Sequence, residues 1–204
     1  MIILKITETE KIIAALKLGQ TIVFPTETSY GLGVDATNRE AVKKIFKIKE
    51  RAAGKPLLVV MSSIVAAKKY LRWSEPLNKL AQKYWPGALT VVGKYHRRWL
   101  GKNLVPGVVT EAGTVAVRVP AESWLQALTV KLGRPLVATS ANLSGTGEIY
   151  EPQKIIQSFA GKNFQPDLLV DRGVLPPHQP TTLVDVTKKQ LQILRQGELK
   201  IFTD

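Results

Sequence analysis

Lys47, Lys49, Arg51 and Lys55 crowd into the stretch KIKERAAGKPL around a single acid, Glu50. A solvated helix face needs no such density of one sign, so the cluster implies something anionic to hold. In a helix opening at Thr37, the apolar stripe runs through Val42 and Ile45, and steps of three then four bring Lys49 onto or near that inward stripe. Lys43 and Lys47 fall on another face, in solvent. A cation aimed at the protein body needs an anionic partner, and the spacing points Glu50 elsewhere. With Arg51 next and Lys55 beyond Gly54, the pattern suits a convergent phosphate clamp, in which a guanidinium binds as a fork and an ammonium as a point charge. The competing reading is a lysine whose stem lies along the protein while its head stays in water.

Two other polar loops follow strand-like runs: PTETSYGLG at 25–33 and TSANLSGTG at 139–147. Ligands of open α/β sheets collect beyond strand ends. Gly, Ser, Thr and Asn there offer N–H groups and hydroxyls to phosphate or carboxylate oxygens. Taken singly, Gly31 and Gly33 also fit a plain turn, and TSANLSG an ordinary capped loop. The chain has two histidines, His96 and His178, both in loop-like contexts, and no Cys. Thiolate sites, disulfides and cysteine nucleophiles are excluded, a His-based metal site is disfavoured, and no serine-triad or Walker pattern is present.

The elements that must position these loops alternate along 204 residues, read as one domain, 1–204. TETEKIIAALKLG is a helix starting near Thr7 or Thr9 and stopping at Gly19. TIVFP is a short buried strand. Thr37 and Glu40 have capping-box spacing before AVKKIFKIK. PLLVVM is a strand, and Ser74-Glu75-Pro76 opens a helix through Tyr84 that stops at WPG. ALTVVG and TVAVRVP are strands, SWLQALTVKLG is a helix ending at Gly133, and PLVATS is a strand entering a polar loop. TTLVDVT and LQILRQG are late strands able to pair. In TVAVRVP, Val115, Val117 and Val119 share one face and Ala116 and Arg118 the other. Such alternation predicts a parallel-leaning α/β sheet covered by helices.

Twenty-nine Lys and Arg against sixteen Asp and Glu leave a net charge of +13, which favours polyanions or serves solubility. KYHRRWLGK interleaves Tyr95 and Trp99 with Arg97, Arg98 and Lys102, a composition suited to RNA stacking and phosphate contact. The alternative is a core Trp99 among solvated charges. No apolar run approaches a membrane span and no signal peptide is visible, so a cytoplasmic setting with no membrane partner is expected.

FPTETSYGLGVDA, IFKIKERAAGKPLLV, WPGALT, TVAVRVP, LVATSANLSG and TTLVDV…LQILRQGEL occur in order, from about Lys5 to Gly197. Together they resemble the YrdC-like family, the threonylcarbamoyl-AMP synthases. The resemblance implies a twisted, mixed parallel/antiparallel sheet flanked by helices, with a large basic concave cavity. It implies synthesis of L-threonylcarbamoyladenylate from L-threonine, bicarbonate or CO2, and ATP, with release of diphosphate. A tRNA-modifying transfer complex then uses the threonylcarbamoyl group on an adenosine beside the anticodon. Mg²⁺ is expected to arrive on the ATP phosphates rather than in a protein-built metal site.

The family's K-x-R motif falls on Lys49 and Arg51, which are implied to be catalytic and to bind ATP along with Thr114, Ser140, Asn142 and Arg195. L-Threonine is implied to meet Thr26, Thr28, Tyr30, Arg118 and Thr182, with Thr181 a competing register. Where many relatives carry Pro after the motif this chain has Ala52, and Val60 stands where some have His. Longer relatives add a C-terminal domain that closes over the site; none is expected here. Two other functions fit parts of the pattern: a nonenzymatic RNA-binding module on the same fold, and a carbamoyl-transfer domain of the hydrogenase-maturation type.

Overall fold

The computed structural model describes residues 1–52, 55–97 and 101–201. Its strands are β1 (Ile2–Lys5), β2 (Ile22–Pro25), β3 (Tyr30–Gly33), β4 (Leu58–Val60), β5 (Leu89–Lys94), β6 (Thr114–Arg118), β7 (Leu136–Ser140), β8 (Leu168–Asp171), β9 (Thr182–Asp185) and β10 (Gln192–Arg195). Its helices are α1 (Thr9–Lys17), α2 (Arg39–Lys49), α3 (Ile64–Lys68), α4 (Glu75–Tyr84), α5 (Ser123–Leu132) and α6 (Pro152–Phe159).

The strands form one sheet in the order β1-β8-β2-β3-β7-β4-β6-β5-β9-β10. Parallel pairs are β1–β8, β8–β2, β4–β6 and β5–β9; the other neighbours run antiparallel. The sheet is therefore mixed, as the family resemblance implies, and not parallel-leaning as simple βα alternation suggests. One cause is the YGLG run, which reads as loop but is β3, hairpinned onto β2. Its glycines permit close approach: a Cβ on Gly33 would sit 2.1 Å from the Val137 carbonyl oxygen of β7.

Side chains alternate across the sheet with period two. Ile22, Phe24, Leu136, Leu168 and Val170 pack beneath α1 and α5, through Ile12, Leu16, Leu125 and Leu128. Val23, Leu32, Val59, Val117, Val137 and Leu169 face the opposite layer, with Val42 and Ile45 of α2, Leu77 of α4 and Phe159 of α6. On β5 and β6, Leu89, Val91, Val115 and Val117 join that second layer. Their opposite face, Thr90, Val92, Ala116 and Arg118, lines a cavity instead. Each wholly buried aliphatic side chain contributes about 1.5–3 kcal/mol, so both layers fasten the strands that carry the cavity wall.

Local signals are partly rewritten by tertiary contacts. α4 is capped by Ser74, as its sequence predicts. α2 is not capped by a Thr37–Glu40 box: Asn38 accepts from the Ala41 amide at 3.1 Å, while the Thr37 hydroxyl donates to Asp35 at 2.6 Å. The buried Asp35 carboxylate draws Thr37 away, and Glu40 pairs with Lys43. α2 stops at Glu50, whose φ of 50° and ψ of 41° are left-handed, rather than continuing toward Gly54, which lies outside the described residues. β9 and β10 pair antiparallel as late strands.

Candidate functional site

The cavity on the open face of β4–β9 has a volume of about 540 Å³ and draws its walls from the whole chain. Thr26, Thr28 and Gly31 come from the β2–β3 hairpin, Arg51 and Lys55 from the segment after α2, Ser140 from β7, and Thr181 and Arg195 from the late strands. Among the described residues four cations line it, Arg51, Lys55, Arg118 and Arg195, against one carboxylate, Glu148. A recess of about 320 Å³ shares Arg51, Lys55 and Ser140 with it and adds Lys49, Glu50, Asn142, Ser144 and Gly145. A roomier hollow of about 700 Å³ lies elsewhere, between α4 and the β9–β10 turn, where Lys79, Lys83 and Lys189 stand on exposed stems.

Lys49 is 2 % exposed, on the inward side of α2. The partner it finds is not an anion. Its ammonium donates to the Ser140 carbonyl oxygen, to the Asn142 carbonyl oxygen at 2.7 Å and to Asn142 Oδ1 at 3.1 Å. An ammonium has three N–H groups, and these three acceptors match them. Lys49 thus ties the end of α2 to the loop after β7, and the Ser144 amide returns a bond to the Lys49 carbonyl at 2.9 Å. Asn142 Oδ1 also accepts from the Ser140 hydroxyl, and its amide donates to Thr146 O, so the TSANLSGTG loop is internally braced. Burial, with the nearby Arg51 charge second, pushes the Lys49 ammonium down to about 8.

The left-handed Glu50 turns the chain so that Lys49 and Arg51, on opposite sides of a continued helix, border the same recess. Arg51 donates from Nε to Lys55 O at 2.9 Å and from Nη2 to Pro56 O at 3.2 Å, which fixes its guanidinium at the cavity wall. Burial lowers its pKa from the ordinary arginine value.

At the other end Arg118 is 6 % exposed, on the face opposite the valines. It donates from Nε to Gly87 O at 3.1 Å, and Nη2 lies 2.7 Å from Glu27 Oε1. Burial lowers its pKa, opposed by the charges of Glu27 and Glu198. Thr26 and Thr28 both line the cavity, but the Thr26 hydroxyl is spent on the turn: it accepts from the Thr28 and Ser29 amides and donates to Ser29 O.

Three implied residues, Tyr30, Thr182 and Thr114, are not on the cavity wall. The Tyr30 hydroxyl donates to Gly173 O at 2.8 Å and accepts from the Arg172 amide, so it anchors the chain after β8. Thr182 donates to Leu199 O and accepts from the Gly197 amide, while Thr181 is the threonine that lines the cavity. Thr181 contacts Thr90 Oγ1 at 2.8 Å and accepts from Arg195 on both its carbonyl and hydroxyl oxygens. Thr114 starts β6 on the Arg118 face, with its hydroxyl 2.7 Å from Thr110 Oγ1.

Glu27, Thr90 and Glu148 carry no sequence expectation. Thr90 was accessible to the same alternation that singles out Arg118, since ALTVVG sets Thr90 and Val92 opposite Leu89 and Val91. Val60, where some relatives have His, does line the cavity. In the basic stretch, Tyr95 accepts from the Leu104 amide and donates to Asn103, so its ring is part of the packing; Arg98 and Trp99 lie outside the described residues.

Residues 14–197 match the family model Sua5_yciO_yrdC, described as Telomere recombination. Over 192 residues the chain is 36% identical to a threonylcarbamoyl-AMP synthase of Pyrococcus abyssi, covering 91% of this chain and 53% of that protein. It therefore spans about half the length of that relative. A threonylcarbamoyl-AMP synthase of Vibrio vulnificus is 32% identical over 195 residues, covering 94% of this chain and 100% of that protein. Among solved structures, Pyrococcus abyssi Sua5 complexed with L-threonine aligns with a TM-score of 0.86 at 30% identity, over 98% of this chain and 58% of that one. The matched segment runs from within α1 to just past β10 and includes every wall of the cavity, and the chain belongs to the Sua5/YciO/YrdC family.

Proposed function

We propose that this chain synthesises L-threonylcarbamoyladenylate from L-threonine, bicarbonate or CO2, and ATP, releasing diphosphate. The observation that carries the reading is a pair of neighbouring hollows that share Arg51, Lys55 and Ser140 and differ in chemistry. Lys49, Arg51, Lys55 and Ser140 make a phosphate end, and Arg118, Thr28 and Thr181 an amino-acid end. The named relatives are threonylcarbamoyl-AMP synthases, which favours this reading over a carbamoyl-transfer domain.

The chemistry brings two anions together. The threonine ammonium and bicarbonate give N-carboxythreonine, water and a proton, and the new carboxylate attacks the α-phosphorus of ATP in line as diphosphate leaves. What the protein must supply is alignment and positive charge. Arg51 and Lys55 meet phosphate oxygens from the wall; Lys49 holds the Ser140–Asn142 loop beneath them and adds its charge through space. Arg118 receives the threonine carboxylate, Thr28 and Thr181 offer hydroxyls to its side chain, and Arg195 stands at the nucleotide side. Among the described residues no group of three or more His, Cys, Asp or Glu side chains could hold a metal. Mg²⁺ would arrive on the ATP phosphates and would supply further neutralisation of charge.

The product would pass to a tRNA-modifying transfer complex in a cytoplasmic setting; among the described residues no helix is long and apolar enough to cross a membrane. Lys43, Lys47, Arg97 and Lys102 are exposed and offer tRNA a basic surface, with binding that falls steeply as salt rises. Incubation with threonine, bicarbonate, ATP and Mg²⁺, followed by mass spectrometry, tests the reading. Threonylcarbamoyl-AMP with equimolar diphosphate is expected. RNA binding without diphosphate release would instead identify a nonenzymatic RNA-binding module.

A further inference from the structure

We infer that Glu148 holds the ribose hydroxyls of the nucleotide, an assignment that rests on the function proposed above. Among the described residues Glu148 is the one carboxylate on a cavity wall that carries four cations, yet it forms an ion pair with none of them. Its side chain is half-buried. Oε2 takes only a long hydrogen bond from the Tyr150 hydroxyl, at 3.4 Å, and that hydroxyl is equally far from His178 O. Oε1 has no protein partner among the described residues and is not shut off from solvent, so a ligand in the cavity can reach it. The backbone on either side is fixed: the Tyr30 amide donates to Ile149 O at 3.0 Å, and the Leu175 amide to Tyr150 O at 2.9 Å.

An acid held beside a polyanion weakens binding unless it faces a part of the ligand that donates hydrogen bonds and carries no negative charge. The loop after β7 indicates which part. Ser140, Asn142, Ser144 and Gly145 border the phosphate recess, and Glu148, three residues further on, lines the wider cavity. Three residues span at most about 10 Å, so a nucleotide with its phosphates over the recess brings its sugar within reach of Glu148. Pro180, Leu183 and Leu194 add an apolar strip to the same cavity. Leu194 is 47 % exposed, and a base laid on the strip would cover it. Threonine's amine is the poorer partner: carboxylation puts a new carboxylate on that nitrogen, and a fixed glutamate there would repel it. Vicinal ribose hydroxyls offer two donors to the two oxygens of a carboxylate, the pairing by which an acidic side chain reads ribose in dinucleotide-binding folds. A site built to bond a hydroxyl discriminates against the analogue that lacks it.

Calorimetric titration of the full chain with Mg²⁺-ATP and with Mg²⁺-2′,3′-dideoxyATP tests this. The wild type is expected to prefer ATP by about tenfold, the lower end for hydrogen bonds to a charged group. Glu148→Ala should abolish that preference by weakening ATP alone, while the dideoxy nucleotide keeps or gains affinity as a negative charge leaves. Equal binding of the two nucleotides by the wild type overturns the inference and needs no variant to fold. An equal change for both in Glu148→Ala, up or down, would make the carboxylate a mere repeller of phosphate or a support for the loop, and overturns it too. If Glu148→Ala instead erased a preference for ATP over inosine triphosphate and left the ribose preference intact, Glu148 would read the base amine and the ribose assignment would fall. A raised KM for threonine with ATP affinity unchanged would move Glu148 to the amino acid, overturning the inference while the proposed function stands. Failure of the wild type to bind ATP at all would overturn the proposed function, and this assignment with it.

Discussion

Lys49 and Arg118 are both buried cations bordering neighbouring hollows, yet they are held in opposite ways. Lys49 is surrounded by neutral oxygens, two backbone carbonyls and an amide, so its positive charge is solvated without being cancelled. Arg118 faces the Glu27 carboxylate, so its charge is balanced on the spot. The first arrangement suits a ligand bearing several negative charges; the second suits one whose charges sum to zero. On the proposed function, a counter-ion beside Arg118 and none beside the Lys49 ammonium would let the two hollows sort substrates by net charge as well as by shape.

Removal of the Lys49 head group should produce the largest effect. Lys49→Ala removes three hydrogen bonds, leaves the Asn142 carbonyl without its buried donor and loosens the tie between α2 and the loop after β7. A loss of roughly 3 kcal/mol in folding stability by chemical denaturation is expected, together with a collapse of ATP-dependent turnover. Arg51→Ala, at the same end, should lower turnover by about 2–4 kcal/mol of transition-state stabilisation with an almost unchanged Tm. If Lys49→Ala were as stable as the wild type, the carbonyl cage would not be what holds that loop. Arg118→Lys comes next. A point charge cannot replace the fork, so KM for threonine should rise by the equivalent of about 2 kcal/mol while KM for ATP stays put. The reverse pattern would exchange the two ends.

A pH series separates the ends without mutation. The Lys49 ammonium is held at about 8 in the folded chain, against its ordinary 10.5. Between those values the folded state carries fewer protons than the unfolded one, so this group makes the protein more stable as pH rises through that window. The phosphate end loses the Lys49 charge over the same range. KM for ATP should therefore climb above pH 8, by at most about tenfold per pH unit, while threonine affinity, governed by the balanced pair, should not follow it. The smallest effect belongs to Glu50→Gly. Glycine relieves the left-handed backbone, worth about 1 kcal/mol before its own entropy is counted. It also removes a carboxylate from the phosphate recess. Tm should hold or rise slightly and KM for ATP should fall; a raised KM would mean that Glu50 itself assists the nucleotide.

Periodicity made much of this legible. The inward position of Lys49 followed from three-and-four spacing, and the open face of Arg118 from strand alternation, because both are local geometry. β3 was hidden because its glycines look like loop until β7 is known to press against them. β1 and β8 are short strands that pair with each other, and β1 shows exposed Ile2 and Ile3, so neither has the clean alternation of a half-buried strand. Glu27 looked like an ordinary turn residue, since its partners Arg118 and Ala121 arrive from much later in the chain. The anion expected for Lys49 was absent for a similar reason: backbone carbonyls are invisible in a residue list, and a bent loop supplied three acceptors where a side-chain carboxylate was expected.

The strand order has a consequence for how the molecule is made. β1 is made long before its neighbour β8, and β5 gains its parallel neighbour only when β9 appears. Such non-local pairings are slow to close. The walls of the cavity come together only with Thr181 and Arg195, after the other eight strands have been made. A chain in which β9 has yet to appear cannot assemble this cavity, and it would expose the β5 edge to aggregation.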